Sequence, residues 1–438
     1  MRFRAAGVTT ASLLVYALLS ASHPVPTQAQ LSDLGPADKS FQAGKFSEAE
    51  KLYAEVIAKQ PANYSAVLQL GRIAMFSNQL DQAQKWLEKA ISLNPVSVEA
   101  KLMLAEVFYR RDDFDGAAAI LRGLDLKGDK SSGMYTTLNI PKLEEFSKRK
   151  PNRIEGPGQI THLKFVKTDP LPLVRVSANG KEAIFFIDTG GAEVLLDPDF
   201  AREVGTKAVG AMQGSFATGQ EATLHSGRLD SLTMGAWVIR DVPVQLLNLR
   251  QFSESMGVKQ IDGCIGTTLL YHFLSTIDYA HGELVLRRNT AEGRKDFASQ
   301  PGKNVSMPFW MAGDHYLLAE GQITTLPPAL VFVDTGLAGG GVNLPESVIK
   351  QAGITLDQQK AITGMGGGGS FKSIPFTVPQ VSLGAITRHD VHALFDGPVS
   401  WEHAWGFYVG ALIGHEFFRP YALTFDFTRM KIVISTFG

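Results

Sequence analysis

Two tripeptides in this chain carry the same chemistry in matched settings. Asp188-Thr189-Gly190 closes the apolar run Ala183-Ile184-Phe185-Phe186-Ile187, and Asp334-Thr335-Gly336 closes Ala329-Leu330-Val331-Phe332-Val333. In each, a strand-like run holds the carboxylate rigidly and a glycine-containing loop exposes it; Gly190 and Gly336 permit tight backbone approach there. Two carboxylates within hydrogen-bond reach cannot both ionise cheaply, so they share one proton and titrate as a unit. The ionised member of such a pair activates water as a general base, and the protonated member polarises a carbonyl as a general acid. One Asp-Thr-Gly is weak, because the tripeptide also serves ordinary turns.

Four landmarks recur in the same order, which makes the pair strong. The two aspartates stand 146 residues apart, and Cys264-Ile265-Gly266 matches Leu412-Ile413-Gly414 at 148. Thr276-Ile277-Asp278 matches Thr424-Phe425-Asp426 at 148, and Met234-Gly235 to Asp241-Val242 parallels Leu383-Gly384 to Asp390-Val391 at 149. Short runs of Val, Ile, Phe and Leu bounded by Gly, Pro, Asn and Asp predict strands and hairpins, so residues 159–300 and 301–438 read as two copies of a β-rich lobe. Short helices are expected after each loop, over 198–204 and 345–352.

This pattern resembles the pepsin-like and retropepsin-like aspartic peptidases, over about residues 159–438. The resemblance implies an all-β, double-lobed acid-protease fold with Asp188 and Asp334 as the catalytic dyad. It implies that Thr189 and Thr335 hydrogen-bond across to the opposite loop, and that Gly266 and Gly414 lie where a returning strand passes under each dyad loop. Two copies in one chain imply a monomeric active site, a polypeptide substrate bound as an extended strand, and neither metal nor cofactor. Gly214–Gly219 and the glycine-rich Gly364–Gly369 are the candidate flaps, read either as mobile lids or as plain hairpins. The sequence departs from the family where Ser, Thr or Ala commonly follows the glycine: here stand Gly191 and Leu337. An alternative reading is a non-catalytic peptide-binding or scaffold protein with degenerate lobes.

Ahead of the lobes a second repeat runs with a period of 34. Ala49, Ala83 and Ala117 keep it, as do Ala37, Gly71 and Ala105, and Pro61 and Pro95. Turns at Gly44-Lys45-Phe46, Asn78-Gln79-Leu80 and Asp112-Asp113-Phe114 precede each alanine. The pattern, over about residues 35–126, resembles the tetratricopeptide repeat, a stacked pair of antiparallel helices with small residues at the crossing. Such an array is either a spacer or cap, or a groove for a protein partner. Residues 127–158, rich in Gly, Pro and charge, read as a linker, which predicts that 159–438 fold alone.

The remaining features set bounds. The chain has 438 residues, 45% hydrophobic and 19% charged, with a net charge of -1, a globular composition with no nucleic-acid footprint. Arg2 and Arg4, the apolar run from Ala11 to Ala21 and the small residues near Ala29 predict a signal peptide over 1–29, the other reading being an uncleaved anchor. No other spanning segment is expected, so the mature chain is read as exported, periplasmic or secreted. Cys264 is the single cysteine, so no intramolecular disulfide can form, which fits a bacterial periplasm or exterior better than an animal secretory route. His389 and His392 fall where a strand is expected and would point to opposite faces, which argues against a metal pair. His272 and His415 are read as packed or solvated, and Asp278 and Asp426 as structural.

Overall fold

The computed structural model describes residues 28–124, 135–216 and 221–437. The expected signal peptide lies outside these residues but for its last two, as do positions 127–134 of the expected linker and 217–219 of the first candidate flap.

Six helices come first: α1 (Gln28–Gln42), α2 (Phe46–Lys59), α3 (Tyr64–Phe76), α4 (Leu80–Leu93), α5 (Val98–Arg110) and α6 (Phe114–Leu121). The 34-residue period has a backbone cause. Gly44, Asn78 and Asp112 all take positive φ, of 73°, 54° and 59°, so the chain reverses at the same place in each pair. Asn63 and Ser97, also one period apart, cap α3 and α5 by accepting from Ala66 N and Ala100 N at 3.1 Å. Ala49, Ala83 and Ala117 are fully buried where helices cross, and a Cβ at Gly71 would stand 2.8 Å from Leu87.

An all-β, double-lobed region follows, as the sequence predicts. In the first lobe, strand Lys181–Ile187 runs parallel to Gly263–Ile265; in the second, Ala329–Val333 runs parallel to Val409–Ile413. Each aspartate therefore leaves a strand flanked by the returning strand of its own lobe. Helices Pro198–Glu203 and Glu346–Gln351 stand where short ones were expected. A six-stranded antiparallel sheet joins the lobes, in the order Ile160–Lys167, Glu283–Arg288, Phe273–Asp278, Tyr421–Asp426, Lys431–Thr436, Lys303–Ala312. At its centre Thr276 pairs with Thr424 and their hydroxyls meet at 2.8 Å, marking the axis that relates the copies.

The helical region packs on the lobes, where the sequence reading expected a separate unit. One hydrophobic cluster takes in the helices together with Leu318, Leu330, Phe332, Trp405, Phe407 and Leu412 of the second lobe. Phe407 is ringed by Phe46 at 5.0 Å, Phe41 at 5.8 Å and Phe76 at 5.9 Å. The helices show the asymmetry this demands. On α2 and α4 only three residues each are buried, one stripe, whereas α3 and α5 bury nine each, on nearly every side. The face shared by the first helices of the pairs is thus covered by the chain's own second lobe. Arg110 crosses this seam, donating to Met75 O at 2.8 Å and Met311 O at 3.1 Å. The expected linker is packed too: Tyr135, Leu138, Leu143 and Phe146 are buried in the same cluster, and α7 (Ile140–Glu145) lies against the first lobe. Its Gly and Lys content resembles a connector, but its apolar residues are too few and irregularly spaced to announce a core role.

Candidate active site

Each aspartate is set by two backbone hydrogen bonds. Asp188 N donates to Ile265 O at 3.1 Å and Asp334 N to Ile413 O at 3.0 Å, fixing both to the returning strands. Gly190 N donates to Asp188 Oδ1 at 2.7 Å, and Gly336 N to Asp334 Oδ1 at 2.8 Å. The two loops are then locked together. Thr189 N donates to Thr335 Oγ1 and Thr335 N to Thr189 Oγ1, both at 3.0 Å, and Thr189 Oγ1 donates to Val333 O at 2.9 Å. Both threonines are fully buried, so the exchange is made without competition from water.

The glycines define the approach. A Cβ at Gly190 would stand 2.5 Å from Asp334 Cγ, and one at Gly336 2.2 Å from Asp188 Cγ, so each loop lies directly against the opposite carboxylate. Gly266 and Gly414 lie under the loops: a Cβ there would stand 2.1 Å from Glu193 O and 2.7 Å from Leu337 Cδ2. All eight residues singled out from the sequence are therefore gathered at one place.

The pair is electrostatically unequal. Burial lifts the Asp188 carboxyl above its usual range, while the hydrogen bond from Asp334 and the Gly190 amide pull it back. Burial, the Asp188 charge and the hydrogen bond to Asp188 together hold Asp334 well above the carboxylate range. The two carboxyls are thus both raised by burial, and they titrate as one pair. Such a pair has one ionised and one protonated member ready at the same pH.

The candidate flaps belong to two hairpins, built from Ala208–Ser215 with Glu221–Met234 and from Ile362–Gly366 with Gly369–Leu383. Phe216 meets the second hairpin: a Cβ at Gly367 would stand 2.1 Å from its ring, and Ser400 Oγ donates to Phe216 O at 3.2 Å. Ile362 and Met365, on the second hairpin, are exposed. At the family departures, Gly191 N donates to Asp188 O and Leu337 N to Asp334 O, each at 3.3 Å, but neither residue offers a hydroxyl. The Leu337 side chain instead packs into the cluster shared with the helices.

The histidines set aside in the sequence hold the body together. His415 is buried and its Nε2 lies 3.0 Å from Asp169 Oδ1 of the opposite lobe. His272 Nε2 lies 3.1 Å from Asp112 Oδ1, at the turn after α5. Burial pulls the His272 imidazole down, but the hydrogen bond and charge of Asp112 outweigh it and the group ends above its ordinary value. Asp278 and Asp426 serve turns, accepting from His281 N and Arg429 N at 2.9 and 3.1 Å. His389 and His392 both lie in strand Ile386–Phe395, three positions apart. The sequence reading missed Glu193, wholly buried in the first dyad loop; its signal was a charge inside the apolar run Ala192 to Leu196.

Residues 174–269 and 319–397 match the family model for aspartyl protease. Residues 40–95 and 68–131 match two tetratricopeptide repeat models. No curated protein matches the chain. Among the described residues no helix is long and apolar enough to cross a membrane.

Proposed function

We propose that this chain, an aspartyl protease domain behind tetratricopeptide repeats, is an aspartic endopeptidase whose water is activated by Asp188 and Asp334. The observation that supports it best is the reciprocal packing of each Asp-Thr-Gly loop on the other's carboxylate. Asp188 takes a proton from the water as its oxygen attacks the scissile carbonyl carbon, and the Asp334 proton passes to the carbonyl oxygen. The resulting gem-diol collapses as the C–N bond breaks: the proton on Asp188 goes to the leaving nitrogen and a diol hydroxyl returns one to Asp334. Parting Phe216 from Gly367 opens the cleft to an extended polypeptide. The basic start and apolar run within 1–29 of the sequence support an exported setting for this activity. A second reading, a peptide-binding pair of lobes without turnover, draws on the missing hydroxyls at Gly191 and Leu337.

The test is a peptide-library digest with wild type, Asp188→Asn and Asp334→Asn. Wild type cleaves, and each variant, nearly isosteric and folded by circular dichroism, loses at least about a thousandfold in kcat/KM. A folded wild type that binds peptides but cleaves none from acid to neutral pH hands the site to the second reading.

A further inference from the structure

We propose that Glu193 is a positioning residue for Asp188, held in place by Lys142 and Tyr109 of the helical region; this rests on the peptidase reading. Glu193 follows Asp188 by five residues in the same loop. Its Oε1 accepts from Lys142 Nζ at 2.5 Å and from the Tyr109 hydroxyl. Both members of the ion pair are 0% exposed.

Neither partner belongs to the β lobes. Tyr109 lies near the end of α5 and Lys142 lies on α7. Tyr109 is stacked on Phe114 at 4.5 Å, Phe114 meets Phe146 at 5.1 Å, and the Lys142 ammonium sits 5.1 Å from the Tyr109 ring centroid. The donors are therefore fixed by packing before they reach Glu193. A buried ion pair is a poor source of stability, since desolvation offsets most of its attraction. What it does supply is a single geometry for the loop that carries it.

That loop is pinned from two directions. From below, Thr267 N and Thr268 N donate to Gly191 O and Ala192 O at 2.9 and 2.8 Å. From the side, Lys142 and Tyr109 hold Glu193. Helix α7 also packs on both strands of the first hairpin, where a Cβ at Gly210 would stand 2.4 Å from Asn139 Oδ1. One short helix thus touches the loop of the general base and the root of a flap. The second lobe has Gly339 at the matching position, with nothing within 4 Å of where a Cβ would be. Among the described residues the tether belongs to the lobe that carries Asp188.

The decisive variant of the full chain is Lys142→Met with Glu193→Leu, which removes both charges and refills the space. If Glu193 positions the loop, Tm stays near wild type and KM within about twofold, while kcat falls about tenfold. Recovery of full kcat together with Tm overturns the proposal, because the pair is then only structural. Should the double variant not fold, Tyr109→Phe takes its place: kcat falls about threefold at unchanged KM, and an unchanged kcat overturns the proposal. Amide hydrogen exchange separates this from the peptidase reading. Faster exchange across 188–193, with the 273–278 strand unchanged, supports the tether even if wild type cleaves nothing; unchanged exchange there refutes it even if wild type cleaves.

Discussion

The Gly190 backbone lies so close to Asp334 that a Cβ would stand 2.5 Å from its Cγ, with nowhere to move but into the threonine lock. Gly190→Ala should therefore spread the two loops. Activity falls by at least about a hundredfold and stability by about 1–3 kcal/mol, the usual cost of overpacking. Gly191→Ala is the control. A Cβ there meets Asp188 O at 3.5 Å, Oδ2 at 3.8 Å and Cγ at 3.9 Å, ordinary contacts, so more than half the wild-type kcat/KM should remain by steady-state assay.

The dyad's own titration sets both the rate and the stability profile. The proposed reaction needs Asp188 ionised and Asp334 protonated, so activity should fall at low pH as Asp188 takes a proton and at high pH as Asp334 loses one. For stability, a carboxyl raised on folding favours the native state below its unfolded pKa. That contribution is lost as pH rises through the folded value. Asp334→Asn, which removes the ionisation, should thus melt above wild type at and beyond neutral pH, by ~1–2 kcal/mol, and converge with it in acid. Thermal melts across pH would show no such gap if Asp334 were an ordinary exposed carboxyl.

Phe407 tests the seam between helices and lobes. It is 1% exposed and sits among Phe41, Phe46 and Phe76. Phe407→Ala should cost about 3–5 kcal/mol by denaturant unfolding, with helices and lobes still melting in one transition. Residues 153–438 expressed alone should be insoluble, since Leu318, Leu330, Phe332 and Leu412 lose their cover, and co-expression with 28–150 should restore solubility. A soluble, cooperatively folded fragment would contradict the shared core.

The flap contact can be tested by exchanging bulk. Gly367→Ala places a methyl 2.1 Å from the Phe216 ring carbon and should hold the hairpins apart, raising KM roughly tenfold, equivalent to ~1.4 kcal/mol. Adding Phe216→Ala should recover most of that loss. No recovery in the double variant means that the two residues do not work against each other in solution.

Glu106, buried beneath the second lobe, is pushed up to about 8 by burial, which outweighs its hydrogen bond from Arg110 at 3.0 Å; the Asp314 carboxylate pushes the same way. The sign follows as for the dyad: stability is full below the ordinary carboxyl range near 4.5 and declines as pH rises through about 8. Glu106→Gln keeps an acceptor for Arg110 and should remove that slope. It should gain ~2–3 kcal/mol on wild type at the top of the window while matching it near pH 5. Equal slopes in both proteins would place the ionised form of Glu106 in the native state.

Local rules made much of this molecule legible. The 34-residue period reports one backbone event, the left-handed turn at Gly44, Asn78 and Asp112, so it survives side-chain drift. The dyad was legible because duplication places Asp188 and Asp334 after equivalent strands, and symmetry then brings equivalent loops to one axis. What lay beyond reach was the choice of long-range partner. Phe407 and Trp405 look like ordinary loop aromatics, and nothing within a few residues says that their neighbours are Phe46 and Phe76. Lys142 reads as one more basic residue in a charged stretch, and only three-dimensional packing makes it a wholly buried cation.

The cover on α3 and α5 also orders the birth of the protein. The six-helix array ends at Leu121, yet the strand that lies on it begins only at Lys303, and that strand's sheet partner, Lys431–Thr436, follows later still. A growing chain therefore presents a finished helical array whose apolar face waits for strands made long after it. That interval is a window for aggregation and for chaperone capture, and it closes when Lys431–Thr436 enters the joining sheet.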